Sequence, residues 1–124
     1  MADIISTVGR AQAAGYLSNV VAPPATYYGA VGTGAGTAAV ADTTLFTEAG
    51  SARIAAVASR VTTTLTNDTA QYTFTYTATG GINVTNAGYF TALTVGVLMQ
   101  KSDHATIPLL NTDSIAYTFL NKQQ

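Results

Sequence analysis

Between residues 70 and 79 the chain alternates without a break. Tyr72, Phe74 and Tyr76 fall on one side and Thr73, Thr75 and Thr77 on the other, the two-residue period of a strand with one buried face. The preceding segment, 53–65, carries Val57, Val61 and a run of threonines, enough β-branched residues to predict one long strand. Thr66-Asn67-Asp68-Thr69 predicts the turn that joins the two. Gly80-Gly81 ends the alternating strand and predicts a hairpin into 82–84. Further strands are predicted at 87–93 and 95–101, with a turn near Thr94, and at 114–120, where Ile115, Tyr117 and Phe119 share a face. An earlier strand, 26–31, runs into the glycine-rich loop Gly32-Thr33-Gly34-Ala35-Gly36. Short strands at this spacing with one-sided aromatic faces predict an all-β fold, an antiparallel, jelly-roll-like β-sandwich. The two aromatic triplets are expected to cover each other across its core, leaving the threonine faces for solvent or contacts.

The first 25 residues follow a different pattern. Ser6 or Thr7 caps a short helix, and Val8, Ala11, Gln12, Gly15 and Tyr16 recur at helical spacing. Pro23-Pro24 cannot continue it and imposes an extended run. The division expected is therefore 1–25 as an N-terminal arm or short helix and 26–124 as a single β-sandwich domain. Whether the helix stands off as an arm or packs on the domain is left open by the pattern.

Composition adds one strong constraint. Only 9% of the 124 residues are charged, against roughly 25% in an average soluble domain. A monomer of this mass would carry one charged side chain per ~570 Å² of surface, where ~200 Å² is ordinary. Large apolar anchors are few, and there is no Trp. A surface so weakly protected against association is expected to be covered, by copies of the chain or by a partner. The five basic residues, Arg10, Arg53, Arg60, Lys101 and Lys122, form no cluster, and the formal net charge is −1; a nucleic-acid partner is not expected. No apolar run approaches the length of a membrane helix, so no membrane partner is expected either. The absence of Cys removes disulfides and thiolate-bound metals, and no export signal is recognised at the N-terminus.

The inventory for catalysis is thin, and the chain is not expected to be an enzyme. His104 is the only histidine. Ser102-Asp103-His104 stand in a row, but neighbours in sequence cannot take up the relay geometry of a triad, and Asp103-His104 reads as the polar tip of a hairpin. The carboxylates lack the ligand spacing of a calcium loop, and no cofactor or metal is expected. Gly32–Gly36 lacks the Lys-Ser/Thr of a phosphate-binding loop. Asn67-Asp68-Thr69 and Asn83-Val84-Thr85 match the glycosylation pattern, as a threonine-rich chain does by chance. Arg53 and Arg60 are expected to pair with Glu48 or Asp42.

One ordered series of residues carries a resemblance. It begins with Tyr28-Gly29-Ala30-Val31-Gly32-Thr33-Gly34, continues with Asp42-Thr43-Thr44-Leu45, Glu48 and Arg53, and then Ile82-Asn83-Val84-Thr85-Asn86-Ala87-Gly88-Tyr89-Phe90. Val97-Leu98-Met99 and Asp113-Ser114-Ile115 follow, and the opening helix reads Gly9-Arg10-Ala11-Gln12-Ala13-Ala14-Gly15-Tyr16-Leu17. This series resembles small structural proteins of tailed bacteriophages, most closely capsid decoration (cement) proteins. Asn86 stands where that family often has an acidic residue. The resemblance implies a virion component on the outer surface of the capsid, a homo-oligomer, commonly a trimer, whose partner is the major capsid protein. The arm and the strand after it supply the candidate interface residues: Tyr16, Leu17, Val20, Val21, Tyr27 and Tyr28. The alternative is a tail or fibre component with a glycan-binding β-domain, in which Tyr16, Tyr27, Tyr28 and Tyr89 would stack on sugar rings.

Overall fold

The structure, a computed structural model, describes residues 2–49 and 52–122. It contains one helix and eight strands, arranged as two antiparallel sheets packed face to face, with the helix near the N-terminus. The strands are β1 (Ala2–Ile5), β2 (Tyr28–Gly32), β3 (Ile54–Ala55), β4 (Val57–Val61), β5 (Thr69–Thr77), β6 (Ile82–Phe90), β7 (Leu98–Leu109) and β8 (Ser114–Lys122). One sheet has the order β1-β7-β6-β2-β3 and the other β4-β5-β8. The β-sandwich read from the sequence is the fold observed.

Several connections differ from the expected ones. The segment 53–65 is two strands in different sheets: β3 pairs with β2, β4 pairs with β5, and the chain crosses at Ala56, whose amide donates to the Tyr27 carbonyl at 2.8 Å. β-Branched content marks extended backbone but not the sheet it joins. The Gly80-Gly81 turn is likewise a corner between sheets and not a hairpin, because β5 pairs with β4 and β8 while β6 pairs with β2 and β7. The end of β5 is tied down by Ala78, which exchanges 2.8 Å backbone bonds with Asp113 and Thr112.

The aromatic triplets do not face each other. Tyr72, Phe74 and Tyr76 lie directly beside Phe119, Tyr117 and Ile115 on neighbouring strands, where opposite residues share a face. Together they form one aromatic surface that packs on the other sheet, in a cluster with Val31, Val84, Tyr89, Met99 and Leu109. Phe74 lies so close to β2 that any side chain at Gly29 would overlap its ring.

The centre of the five-stranded sheet, β2 with the adjoining parts of β6 and β7, is buried on both faces. Its outer face carries a second cluster, Ala30, Leu45, Phe90 and Leu98, roofed by the long loop that contributes Leu45. This double burial explains why β6, Ile-Asn-Val-Thr-Asn-Ala-Gly-Tyr-Phe, shows no clean alternation.

The N-terminal segment belongs to the sandwich. Ala2–Ile5 pair with 100–103 of β7 as an edge strand, and α1 (Thr7–Leu17) follows directly. Ser6 caps the helix, its Oγ accepting from the Gly9 amide at 2.9 Å and donating to the Leu98 carbonyl at 2.6 Å. Gly9 is buried against the Met99 backbone, where a Cβ would collide. The expected boundary at residue 25 therefore gives way to a continuous packing of β1 and α1 on β7. Four residues are too few to show a strand period, which is why β1 went unpredicted.

Candidate interaction surface

Some of the residues that carry the resemblance, Thr33, Gly34, Asp42, Thr44, Thr85 and Asn86, meet in a network that pins the loop between β2 and β3. Asn86, fully buried on β6, treats Phe46 as a strand partner would: its Oδ1 accepts from the Phe46 amide at 3.0 Å and its Nδ2 donates to the Phe46 carbonyl at 3.1 Å. Thr33 and Gly34 donate to the Thr47 and Phe46 carbonyls at 3.0 and 2.8 Å, and the Thr85 hydroxyl donates to the Gly34 carbonyl. Lys101, with no exposed side-chain surface, donates to Asp42 Oδ2 at 3.0 Å and to the Thr44 carbonyl at 2.9 Å, its Nζ over the Phe46 ring. Burial alone would raise the Asp42 carboxyl, but the Ala39 amide and the Lys101 ammonium outweigh it and hold the group below its ordinary value.

At the other end of the loop the expected Arg53–Glu48 pair forms, with two bonds of 3.0 Å. Asp42 is taken by Lys101 instead, and Arg60 is exposed on β4, outside both ion pairs. Arg53 does more than pair. Its Nη1 donates to the Ala92 and Val95 carbonyls at 2.9 and 2.6 Å, and its guanidinium lies 3.6 Å from the Phe90 ring centroid. It thereby holds the β6–β7 turn, in which Val95 has φ 59°, a left-handed conformation uncommon for a β-branched residue. Val95 is 84% exposed and Leu93 stands beside it, so a rigid turn carries two apolar side chains into solvent.

A second such tip lies between β4 and β5. Asp68 accepts from the Leu65, Thr63 and Thr64 amides at 2.9–3.0 Å and from the Thr63 and Thr69 hydroxyls. The Leu65 amide, against a smaller opposing effect of desolvation, and then the Thr63 and Thr64 amides hold its carboxyl far below the ordinary value. The tip so fixed presents Leu65, 70% exposed.

The six candidate interface residues divide. Leu17 and Val20 are more than four-fifths exposed at the end of α1. Val21 is half-buried against Gly15. Tyr16 and Tyr27 are half-buried and pack on the core, and Tyr28 opens β2 opposite Phe90. Tyr27 makes edge contacts with the rings of Tyr72 and Tyr89, at 4.9 and 5.9 Å. Burial, with the Tyr72 and Tyr16 phenols close by, pushes its hydroxyl well above the ordinary range. Tyr89 has no exposed surface. Three of the four tyrosines considered for sugar stacking, Tyr16, Tyr27 and Tyr89, are thus spent on internal packing.

His104 is not at a hairpin tip. It lies within β7, where 104–106 bulge out opposite Thr85 as the register shifts from Val84–Ile107 to Asn86–Asp103. Its Nε2 meets the Tyr117 hydroxyl at 2.7 Å and its Nδ1 the Ala105 carbonyl at 2.8 Å; burial raises the Tyr117 phenol. Asp103 accepts from the Ala38 amide at 3.2 Å, a bond that ties the β2–β3 loop to β7. Among the described residues no three His, Asp or Glu side chains gather as metal ligands, and no helix is long and apolar enough to cross a membrane.

Comparison with protein-family models and with curated proteins finds no match to the chain. What the geometry offers is a rigid, charge-poor body with apolar side chains at fixed tips: Leu17 and Val20, Leu65, Leu93 and Val95.

Proposed function

We propose that this chain is a bacteriophage virion structural protein, a capsid decoration (cement) protein that self-associates and binds the outer surface of the major capsid shell. The observation that carries the reading is the pairing of a nearly uncharged surface with exposed apolar residues on turns held rigid by Arg53 and Asp68. A tip ordered before contact loses little conformational freedom on binding. The resemblance supports the reading through the residues that build this body: Asp42, Leu45, Glu48 and Arg53 each hold the loop that roofs the five-stranded sheet.

The action is mechanical. Each copy covers surface on two or more shell subunits, and about 800 Å² per side is enough for a specific contact. Oligomers that engage several subunits at once hold through high local concentration even where single contacts are modest. Internal pressure in the head is then resisted by more contacts per subunit.

The test adds purified protein to heads that lack decoration and measures occupancy on the shell. Saturable binding at a fixed ratio to the major capsid protein, with greater resistance of the heads to heat, is expected. Absence from heads together with co-purification with tails overturns the capsid assignment and moves the protein to a tail or fibre.

A further inference from the structure

The three-stranded sheet ends in two edges of opposite character, and they fit each other. Edges are where a sheet recruits further strands, so natural sheets keep them short, charged or covered. The five-stranded sheet follows this practice: β3 has two residues, and β1 has four with Arg10 Nε on the Ile5 carbonyl. β8 does not. It runs nine residues in unbroken register, with no proline and no charge before Lys122. Near its end Gln100 reaches over from β7 and donates to the Leu120 carbonyl at 3.0 Å. Before that point the edge is open, along a cleft of about 310 Å³ lined by 115–119 of β8 and by Ser102, His104 and Ile107 of the bulged β7.

The opposite edge is β4. It has five residues, and Val57, Ala58, Ser59 and Arg60 are all exposed. Because side chains alternate along a strand, β4 is uncovered on both faces. It projects from the sandwich as a bare strand with Val57 70% in solvent.

We propose that β4 of one copy adds to the open 115–119 edge of β8 on the next, joining their three-stranded sheets head to tail. This rests on the self-association in the functional reading above and assigns its contact. A thin strand uncovered on both faces suits the space beneath overhanging β7. Pairing β8 with β8 of a second copy would instead bring two five-stranded sheets to the same side of one edge. A head-to-tail contact uses two different surfaces, so it grows until a ring closes.

The experiment is a sedimentation measurement on the full chain and two variants, Val57→Lys on β4 and Thr118→Lys on β8, both at exposed positions. The parent is expected to be a closed oligomer. Each variant alone is expected at 12.7 kDa, because each has lost one half of every junction. An equal mixture retains one intact pair of surfaces and is expected to form a dimer and nothing larger. Circular dichroism checks that the variants fold, and Ala58→Lys with Ala116→Lys, at exposed positions on the same strands, repeats the test should either fail. Variants that stay oligomeric overturn the β4–β8 contact while leaving self-association intact. Dissociation of only one variant, or a mixture that stays monomeric, also overturns it. A monomeric parent overturns both this contact and self-association in solution, and leaves shell binding to its own test.

Discussion

At the scale of single residues, buried polar groups separate what holds this protein together from what merely fills it. Lys101 is an ammonium with no exposed surface whose only carboxylate partner among the described residues is Asp42. Removing one partner of such a pair strands the other charge, at a cost of about 3–5 kcal/mol. Asp42→Ala is therefore expected to lower stability more than Lys101→Met, which replaces the charge by an apolar chain, and denaturant unfolding of the two variants checks the order. The pH dependence follows from the same pair. The Asp42 carboxyl lies below its ordinary value, so its contribution is present above roughly pH 4 and disappears as pH falls through the folded value. Acid titration of Asp42→Asn should lack that component. Asn86 makes a further case. With Asp there, an oxygen replaces the Nδ2 that donates to Phe46, and a buried donor–acceptor mismatch costs about 1–3 kcal/mol. Thermal melts of Asn86→Asp at neutral pH are expected to show that loss, with recovery in acid as the carboxyl gains a proton to donate. Phe74→Ala, which empties the centre of the aromatic sheet, is expected to cost about 3–5 kcal/mol.

At the scale of elements, the N-terminus has the largest consequence. If residues 1–22 formed a free arm, deleting them would leave the domain intact. With β1 paired along β7 and α1 seated through Gly9 on Met99, the same deletion uncovers a strand edge and the backbone beneath the helix. The truncated chain is expected to melt at lower temperature and to aggregate, as measured by scanning calorimetry and light scattering. A milder change separates packing from deletion. Gly9→Ala improves intrinsic helix propensity by up to about 1 kcal/mol, yet it forces α1 away from Met99. Faster hydrogen exchange at 98–103 of β7 in that variant would show that docking, and not helix formation, holds the segment.

For the whole molecule, the ruling quantity is the scarcity of charge. With 11 charged side chains and a formal net charge of −1, the net repulsion that keeps copies apart in ordinary solution is small. Salt is expected to change self-association little, because the proposed contact is made of backbone and apolar groups. Sedimentation across a range of ionic strength checks this, and dissociation on adding salt would assign the contact to charge instead.

The alternating residues of β5 and β8 determined by themselves that each is a strand with one face buried, because a period of two with aromatic residues on one side fits that use; the spacing of the other strands then made a sandwich the expected fold. Local chemistry also marked the turn at Asn67-Asp68 and narrowed the helix cap to Ser6 or Thr7 and the partners of Arg53 to Glu48 or Asp42, among which the structure selects Ser6 and Glu48. What only the tertiary structure decided are the relations between distant segments. The crossing at Ala56 and the corner at Gly80-Gly81 depend on which sheet offers a partner, and alternation is the same in either. The double burial of β6 depends on a loop 40 residues away that Asn86 captures. The surface proposed for association was hidden for the same reason: β4 reads as an ordinary β-branched run, and only the assembled sheets show it uncovered on both faces.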